Sequence, residues 1–227
     1  MKLIPPLLVA LSTLAMAPST AAAQGRSQFE VWFGLPMTVD LGEDVPRVQI
    51  WFDNHVRRQP GQTQLLVRPG IGLKIYEWMT VYAGYAWTPT FVDEPQEVQN
   101  QHRIWEQLIL DLDPHRRLAF QSRTRFEQRF REGSDDVSLR LRQLARFDWE
   151  LAPDSPFGIT VWDELSLWLS DTDWGPTIGL DQNRIFLGPT VKVPALGHFE
   201  AGYLFVYRRR STDVYAHVVL TQFIVSL

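Results

Sequence analysis

From Gln28 to the C-terminus the chain keeps a two-residue rhythm over stretches longer than ordinary strands, and few folds can satisfy that pattern. Val48, Ile50 and Phe52 alternate with Gln49, Trp51, Asp53, His55 and Arg57. Leu65, Val67, Ile71, Leu73 and Ile75 alternate with Gln64, Arg68 and Lys74. Between Phe120 and Arg131 the odd positions Arg123, Arg125, Glu127, Arg129 and Arg131 share one face, with Phe120, Phe126 and Phe130 on the other. After a turn at Glu132 to Asp136 the phase resumes, with Arg140, Arg142, Arg146, Asp148 and Glu150 opposite Leu139, Leu141, Phe147, Trp149 and Leu151. A helix, repeating every 3.6 residues, would scatter these charges around its circumference, so the pattern reads as β-strands with two unlike faces. Eleven such segments can be counted, each of roughly ten to fifteen residues and separated by short turn clusters.

Two architectures present unlike faces. In a soluble two-layer sandwich the polar face meets solvent. In an antiparallel, up-and-down transmembrane β-barrel the apolar face meets lipid and the polar face lines the lumen. Strand length favours the barrel, because a globular strand has a mode of about five or six residues and a tilted membrane strand needs ~9 to 11. Arginine usage agrees: lysine occurs only at Lys2, Lys74 and Lys192, leaving 19 arginines among the 22 basic residues. The planar guanidinium fork pairs bidentately with carboxylates and suits a confined lumen.

The N-terminus reads as an export signal. Met1 and Lys2 give a positive start, Leu3 to Ala17 is apolar, and Ala21 to Ala23 offer a small-residue cleavage site before Gln24. Residues 24–227 are then one barrel domain. Cysteine is absent, so neither a disulfide framework nor a thiolate metal site is expected. The net charge of −4 gives no reason to expect nucleic acid. Neither a cofactor nor a metal is assigned. The nine tryptophans lie mostly near strand ends, as in an interfacial girdle, with Trp105 equally suited to lumen packing. Phe223, Val225 and Leu227 end the chain in an alternating pattern similar to the assembly signal of outer-membrane barrels, although a leucine stands where an aromatic is usual. With a periplasmic C-terminus, the longest loops, Val92 to Gln101 and Ser170 to Thr177, fall outside. Eleven strands conflict with the even numbers usual for such barrels, so ten or twelve are expected.

Several stretches carry a resemblance: Gln101-His102-Arg103-Ile104-Trp105-Glu106-Gln107, Arg123 to Phe130, Trp162-Asp163-Glu164, Asp181-Gln182-Asn183-Arg184, and Glu200-Ala201-Gly202-Tyr203 with His217. Together they resemble an uncharacterised family of bacterial outer-membrane barrels, the domain of unknown function 2490. The resemblance spans the mature chain and implies a barrel, with no reaction, substrate or catalytic residue attached.

The charged phase predicts a lumen network of Arg103, Glu106, Arg123, Arg125, Glu127, Arg129, Arg140, Arg142, Arg146, Glu164, Arg184 and Glu200, since unpaired charges in a narrow barrel are costly. Such a network can be structural, filling and stiffening the barrel. It can also line a narrow channel or binding lumen for small anionic solutes, and a wide diffusive pore is not expected. An alternative is an enzyme acting on outer-membrane lipid or lipopolysaccharide, for which His102 with Glu106, His217 with Glu200, and Ser122 or Ser166 are the candidate groups. A further alternative is a soluble periplasmic β-sandwich binding protein. The acidic loop Ser170 to Trp174 could contact calcium or a saccharide, and Arg208-Arg209-Arg210 could contact lipopolysaccharide phosphates or form a charged hairpin tip. The partners expected are outer-membrane lipid, lipopolysaccharide and the barrel assembly machinery, with small anions in the lumen.

Overall fold

The computed structural model describes residues 25–42, 47–115 and 117–227, so the expected signal segment lies outside the described residues. Every regular element among them is a strand: β1 (Arg26–Asp40), β2 (Val48–Gln59), β3 (Gln62–Leu66), β4 (Pro69–Tyr76), β5 (Met79–Trp87), β6 (Thr90–Val92), β7 (Glu97–Gln99), β8 (Gln101–His115), β9 (Leu118–Arg131), β10 (Ser138–Glu150), β11 (Phe157–Trp168), β12 (Gly179–Val193), β13 (Gly197–Arg208) and β14 (Val214–Ser226). Strands β3 and β4 are one stave interrupted at Val67 and Arg68; Val67 still bridges to Trp87, and the Arg68 carbonyl still accepts from the Asp53 amide at 3.0 Å. Strands β6 and β7 form a small hairpin that extends β3 beyond the wall.

The remaining staves close into an eleven-strand barrel, within the size range expected from the sequence. The count is odd, and the seam shows how that is accommodated. An odd number of alternating staves leaves the first and last pointing the same way, so β1 pairs with β14 in parallel, from Arg26 opposite Val214 to Thr38 opposite Ser226. All other wall pairings are antiparallel, which makes the sheet mixed where a wholly antiparallel one was expected. At Pro60-Gly61 a two-residue turn joins β2 to β3; proline presets its own φ and Gly61 takes φ 76°, a left-handed value that a side chain would resist. The short turns after β4, β8, β10 and β12 share one end with the C-terminus, and the longer loops 88–100 and 169–178 share the other.

Side chains alternate between wall faces. Phe29, Val31, Phe33 and Leu35 of β1, with Ile71, Leu73, Val161, Ile185, Leu187 and Val219, point outward and are exposed. Tyr76, Trp78 and Trp149 crowd the short-turn rim, and Trp87 and Phe91 the other. The lumen is filled and two-sided. Beneath β12, β13, β14 and β1 lies an apolar cluster of Trp32, Phe186, Leu204, Val206, Ala216, Val218 and Leu220. Opposite it, Trp105 lies flat on the wall, which requires glycine beneath: a Cβ at Gly70 or Gly84 would come within 2.5 or 2.6 Å of its ring. Between these two apolar patches sit the charges.

Candidate functional site: an arginine-rich lumen

Strands β9 and β10 pair so that Glu127 faces Arg140 and Arg125 faces Arg142, and their lumen sides therefore form one charged surface. Glu127, with no exposed surface, accepts from Arg142 at 2.8 Å and lies 3.5 Å from Arg68, 3.5 Å from Arg103 and 3.7 Å from Arg140. Glu164 of β11 takes Arg142 on both oxygens at 2.6 and 2.8 Å, Arg123 at 2.7 Å and Arg184 at 3.4 Å. Asp53 of β2 holds Arg68 at 2.6 Å and His55 at 2.5 Å, and Arg125 reaches it across the lumen at 3.5 Å. Asp181 accepts from Arg140 at 2.7 Å and from Arg210 at 2.9 Å.

These four carboxylates serve too many cations. The central network contains Arg57, Arg68, Arg103, Arg123, Arg125, Arg129, Arg140, Arg142 and Arg184, so nine guanidiniums minus four shared carboxylates leaves a surplus of five positive charges even before Arg210, which also binds Asp181, is counted. Of the nine, Arg57 and Arg129 are the two that make no ion pair with a carboxylate among the described residues. Tryptophan faces take up part of the excess. Arg57 and Arg184 lie 4.4 and 5.1 Å from the Trp32 ring, Arg129 and Arg140 lie 4.7 and 5.0 Å from Trp168, and Arg125 lies 5.2 Å from Trp105. A ring quadrupole returns about 2 kcal/mol at a desolvated site, less than the several kcal/mol needed to strip a guanidinium of water. The Nε atoms of Arg57, Arg68, Arg103, Arg129 and Arg140 are buried and make no hydrogen bond. Gln182, with its carboxamide oxygen turned toward the guanidiniums, accepts from Arg184 at 2.8 and 3.0 Å. Chemically, the result is a buried cluster of converging N–H donors. Trp174, from the 169–178 loop, covers it at the long-loop end, 5.7 Å from Arg129.

Of the residues named from sequence, Arg103, Arg123, Arg125, Glu127, Arg129, Arg140, Arg142, Glu164 and Arg184 all meet in this network. Arg146 and Glu200 pair with each other further along the lumen, Arg146 also binding Asp148 at 2.7 Å and Glu200 also taking Gln222 at 2.7 Å. Glu106 does not join. The phase of β8 sends Arg103, Trp105 and Gln107 inward and Glu106 outward, where Gln128 donates to it at 3.3 Å. The proposed nucleophile and base pairs are also not assembled. His102 bonds Tyr85, His217 bonds Tyr203 at 2.6 Å on the outer face, Glu200 faces the lumen, and Ser122 and Ser166 lie on opposite faces.

The loop acids are engaged within the chain. Asp171 accepts from the Ile178 amide and Asp173 from Ser134, and no metal-holding group of three ligands occurs among the described residues. In the arginine run, Arg208 turns inward to Glu30 at 2.5 and 2.9 Å, Arg210 binds Asp181, and Arg209 is exposed. Sequence reasoning left Asp53, Arg57, Arg68 and Asp181 out of the network although the first three stood on the polar phase of their strands. It lacked the barrel's curvature, which brings β2 against β9.

The family model described as a protein of unknown function, DUF2490, matches residues 29–217. An uncharacterised protein of Methylorubrum extorquens is 28% identical over 201 residues, covering 87% of this chain and 86% of that protein. No solved structure matches the chain. With a matched region that begins on β1, ends on β14 and encloses the whole charged lumen, this chain belongs to the DUF2490 family.

Proposed function

We propose that this protein is an outer-membrane β-barrel whose lumen is a binding chamber for small anions, phosphate-like or carboxylate-like, rather than an open diffusive pore. The observation that carries this reading is the surplus of five buried guanidiniums over carboxylates in a lumen filled with side chains. Burying that surplus without counter-ions is costly, and an oxyanion with several acceptor oxygens offsets the cost by accepting from more than one guanidinium. The outward apolar band, the aromatic rims and strands of 12 to 15 residues in most staves support insertion into a bilayer. Lipid and lipopolysaccharide are then its surroundings. The outward alternation of Phe223 and Val225 on β14 is what the barrel assembly machinery would recognise.

Planar-bilayer recording of the refolded protein tests the reading. The expected result is no wide steady pore, with any current that passes preferring anions. A large, stable, cation-selective conductance would contradict it.

A further inference from the structure

The outer face of the barrel is not uniform. Around β1, β2, β4 and β5 the outward positions are almost all apolar, whereas β8 to β12 present Glu106, Ser122, Thr124, Gln128, Gln143, Asp163 and Asn183. These residues bond among themselves: Gln128 donates to Glu106 at 3.3 Å, Thr124 to Gln143 at 2.6 Å, Gln143 to Ser122 at 2.9 Å and Asn183 to Asp163 at 2.7 Å.

Their heights decide what they mean. Glu106 stands opposite Phe126, two residues from Thr124; Thr124 stands opposite Gln143; Gln143 stands opposite Leu165, two residues from Asp163. That diagonal drift, always toward the short-turn end, is how a set of positions stays level around a barrel of tilted strands. Glu106, Thr124, Gln143 and Asp163 therefore form a level row over four consecutive staves. Gln143 and Asp163 occupy the middles of β10 and β11, so the row runs along the midplane, the depth at which a bilayer least tolerates charge. Gln128 lies two outward positions from Thr124 and Asn183 one outward position from Ile185, which faces Asp163, both nearer the long-loop end with side chains reaching back to Glu106 and Asp163. Hydrocarbon offers neither amides nor carboxylates a partner. The bonds made here leave one amide hydrogen each on Gln128 and Asn183, and several lone pairs on Glu106 and Asp163, while Gln143 spends both of its hydrogens on Ser122 and the Leu144 carbonyl.

We infer that this face is the contact surface for a second copy of the same chain. Two copies inserted in one direction are related by a twofold axis along the membrane normal, which sets each height against itself and reverses left and right. Under that operation Gln143 and Thr124 meet their counterparts near the axis. Glu106 comes against the partner's Asp163, beside which the second hydrogen of the Asn183 amide is free to donate, and Asp163 comes against the partner's Glu106 with the second hydrogen of Gln128 beside it. The patch thus brings a spare donor to each carboxylate of the facing copy. The inference rests on the bilayer reading proposed above.

Because the chain has no cysteine, single-cysteine cross-linking in native outer membranes is free of background. Gln143→Cys lies at the expected axis, and Phe33→Cys lies at a similar height on β1, across the barrel. Mild oxidation is expected to convert Gln143→Cys to a disulfide-linked dimer with a yield at least tenfold that of Phe33→Cys. A polar-stripped chain, E106L/T124L/Q143L/D163L, should sediment as a monomer in detergent where the native chain sediments as a dimer. A membrane-inserted Gln143→Cys that stays monomeric, equal cross-linking at both positions, or a polar-stripped chain that still dimerises would each overturn the interface alone. Recovery of the native protein in the soluble periplasmic fraction would overturn the bilayer reading and the interface together.

Discussion

Hairpins β9–β10 and β13–β14 are of similar length and occupy the same wall, yet they are built from opposite materials. The first carries Arg123, Arg125, Glu127, Arg129, Arg140 and Arg142 inside and Ser122, Thr124, Gln128 and Gln143 outside. The second carries Leu204, Val206, Ala216, Val218 and Leu220 inside and Tyr203, Phe205 and Val219 outside. One barrel is thus stabilised by two kinds of interior: a region where stability depends on charges satisfying one another, and a region where it depends on apolar area removed from water. The β13–β14 side can stand without a ligand. The β9–β10 side carries a charge imbalance that a bound anion, as proposed above, would offset.

Removing Glu127 should break the comparison most severely. Glu127→Ala strips four arginines of a shared anion inside the lumen and is expected to cost about 3 to 5 kcal/mol, read as the urea midpoint of the refolded barrel. Replacing Glu127 and Arg142 together by leucine should cost less than Glu127→Ala alone, because losing one charge of each sign leaves the positive surplus unchanged where Glu127→Ala enlarges it. On the apolar side Leu204→Ala should cost about 2 to 4 kcal/mol through cavity formation, and that loss should be insensitive to salt and to anions.

Arg57→Gln sharpens the contrast. Its guanidinium rests on Trp32 at 4.4 Å and has only a 3.4 Å hydrogen bond to Gln64, so losing the contact and relieving the positive surplus nearly cancel. The urea midpoint should move by less than the equivalent of about 1 kcal/mol, while anion affinity measured by titration falls several-fold. The smallest effect belongs to the loop pair Arg58–Asp93, exposed at the hairpin of β6 and β7. Its hydrogen bond to Arg58 holds the Asp93 carboxyl below its ordinary value of 3.8. A lowered folded-state pKa gives stability that is present above 3.8 and lost only as pH falls through the lower value, so Asp93→Asn should lower melting only slightly, and by the same amount at pH 7 as at pH 5.

The fold was legible where one face of a strand was charged, as in Arg123 to Arg131, because period two then has no competitor. It was weaker at β13 and β14, where both faces are apolar and Ala201 to Tyr207 reads as a nearly continuous apolar run. The odd strand count was visible, and the rule of even numbers argued against it; a parallel seam is a pairing between chain ends that no local pattern announces. Glu106 was misplaced because its neighbours Arg103 and Glu127 are lumen residues, although the β8 phase through Arg103, Trp105 and Gln107 already assigned it to the outer face. Which cations lack anions was not legible at all, since Asp53 serves Arg125 only after β2 and β9 meet across the lumen.

An arginine surplus of this size should be occupied by an anion in the folded barrel. The direct measurement is the unfolding midpoint of the refolded barrel as inorganic phosphate replaces chloride at constant ionic strength. The midpoint is expected to rise in proportion to the logarithm of phosphate concentration once the site is saturated, and that rise should vanish in an R57Q/R103Q/R129Q chain. A midpoint that tracks ionic strength alone, the same for phosphate and chloride in both chains, would contradict it.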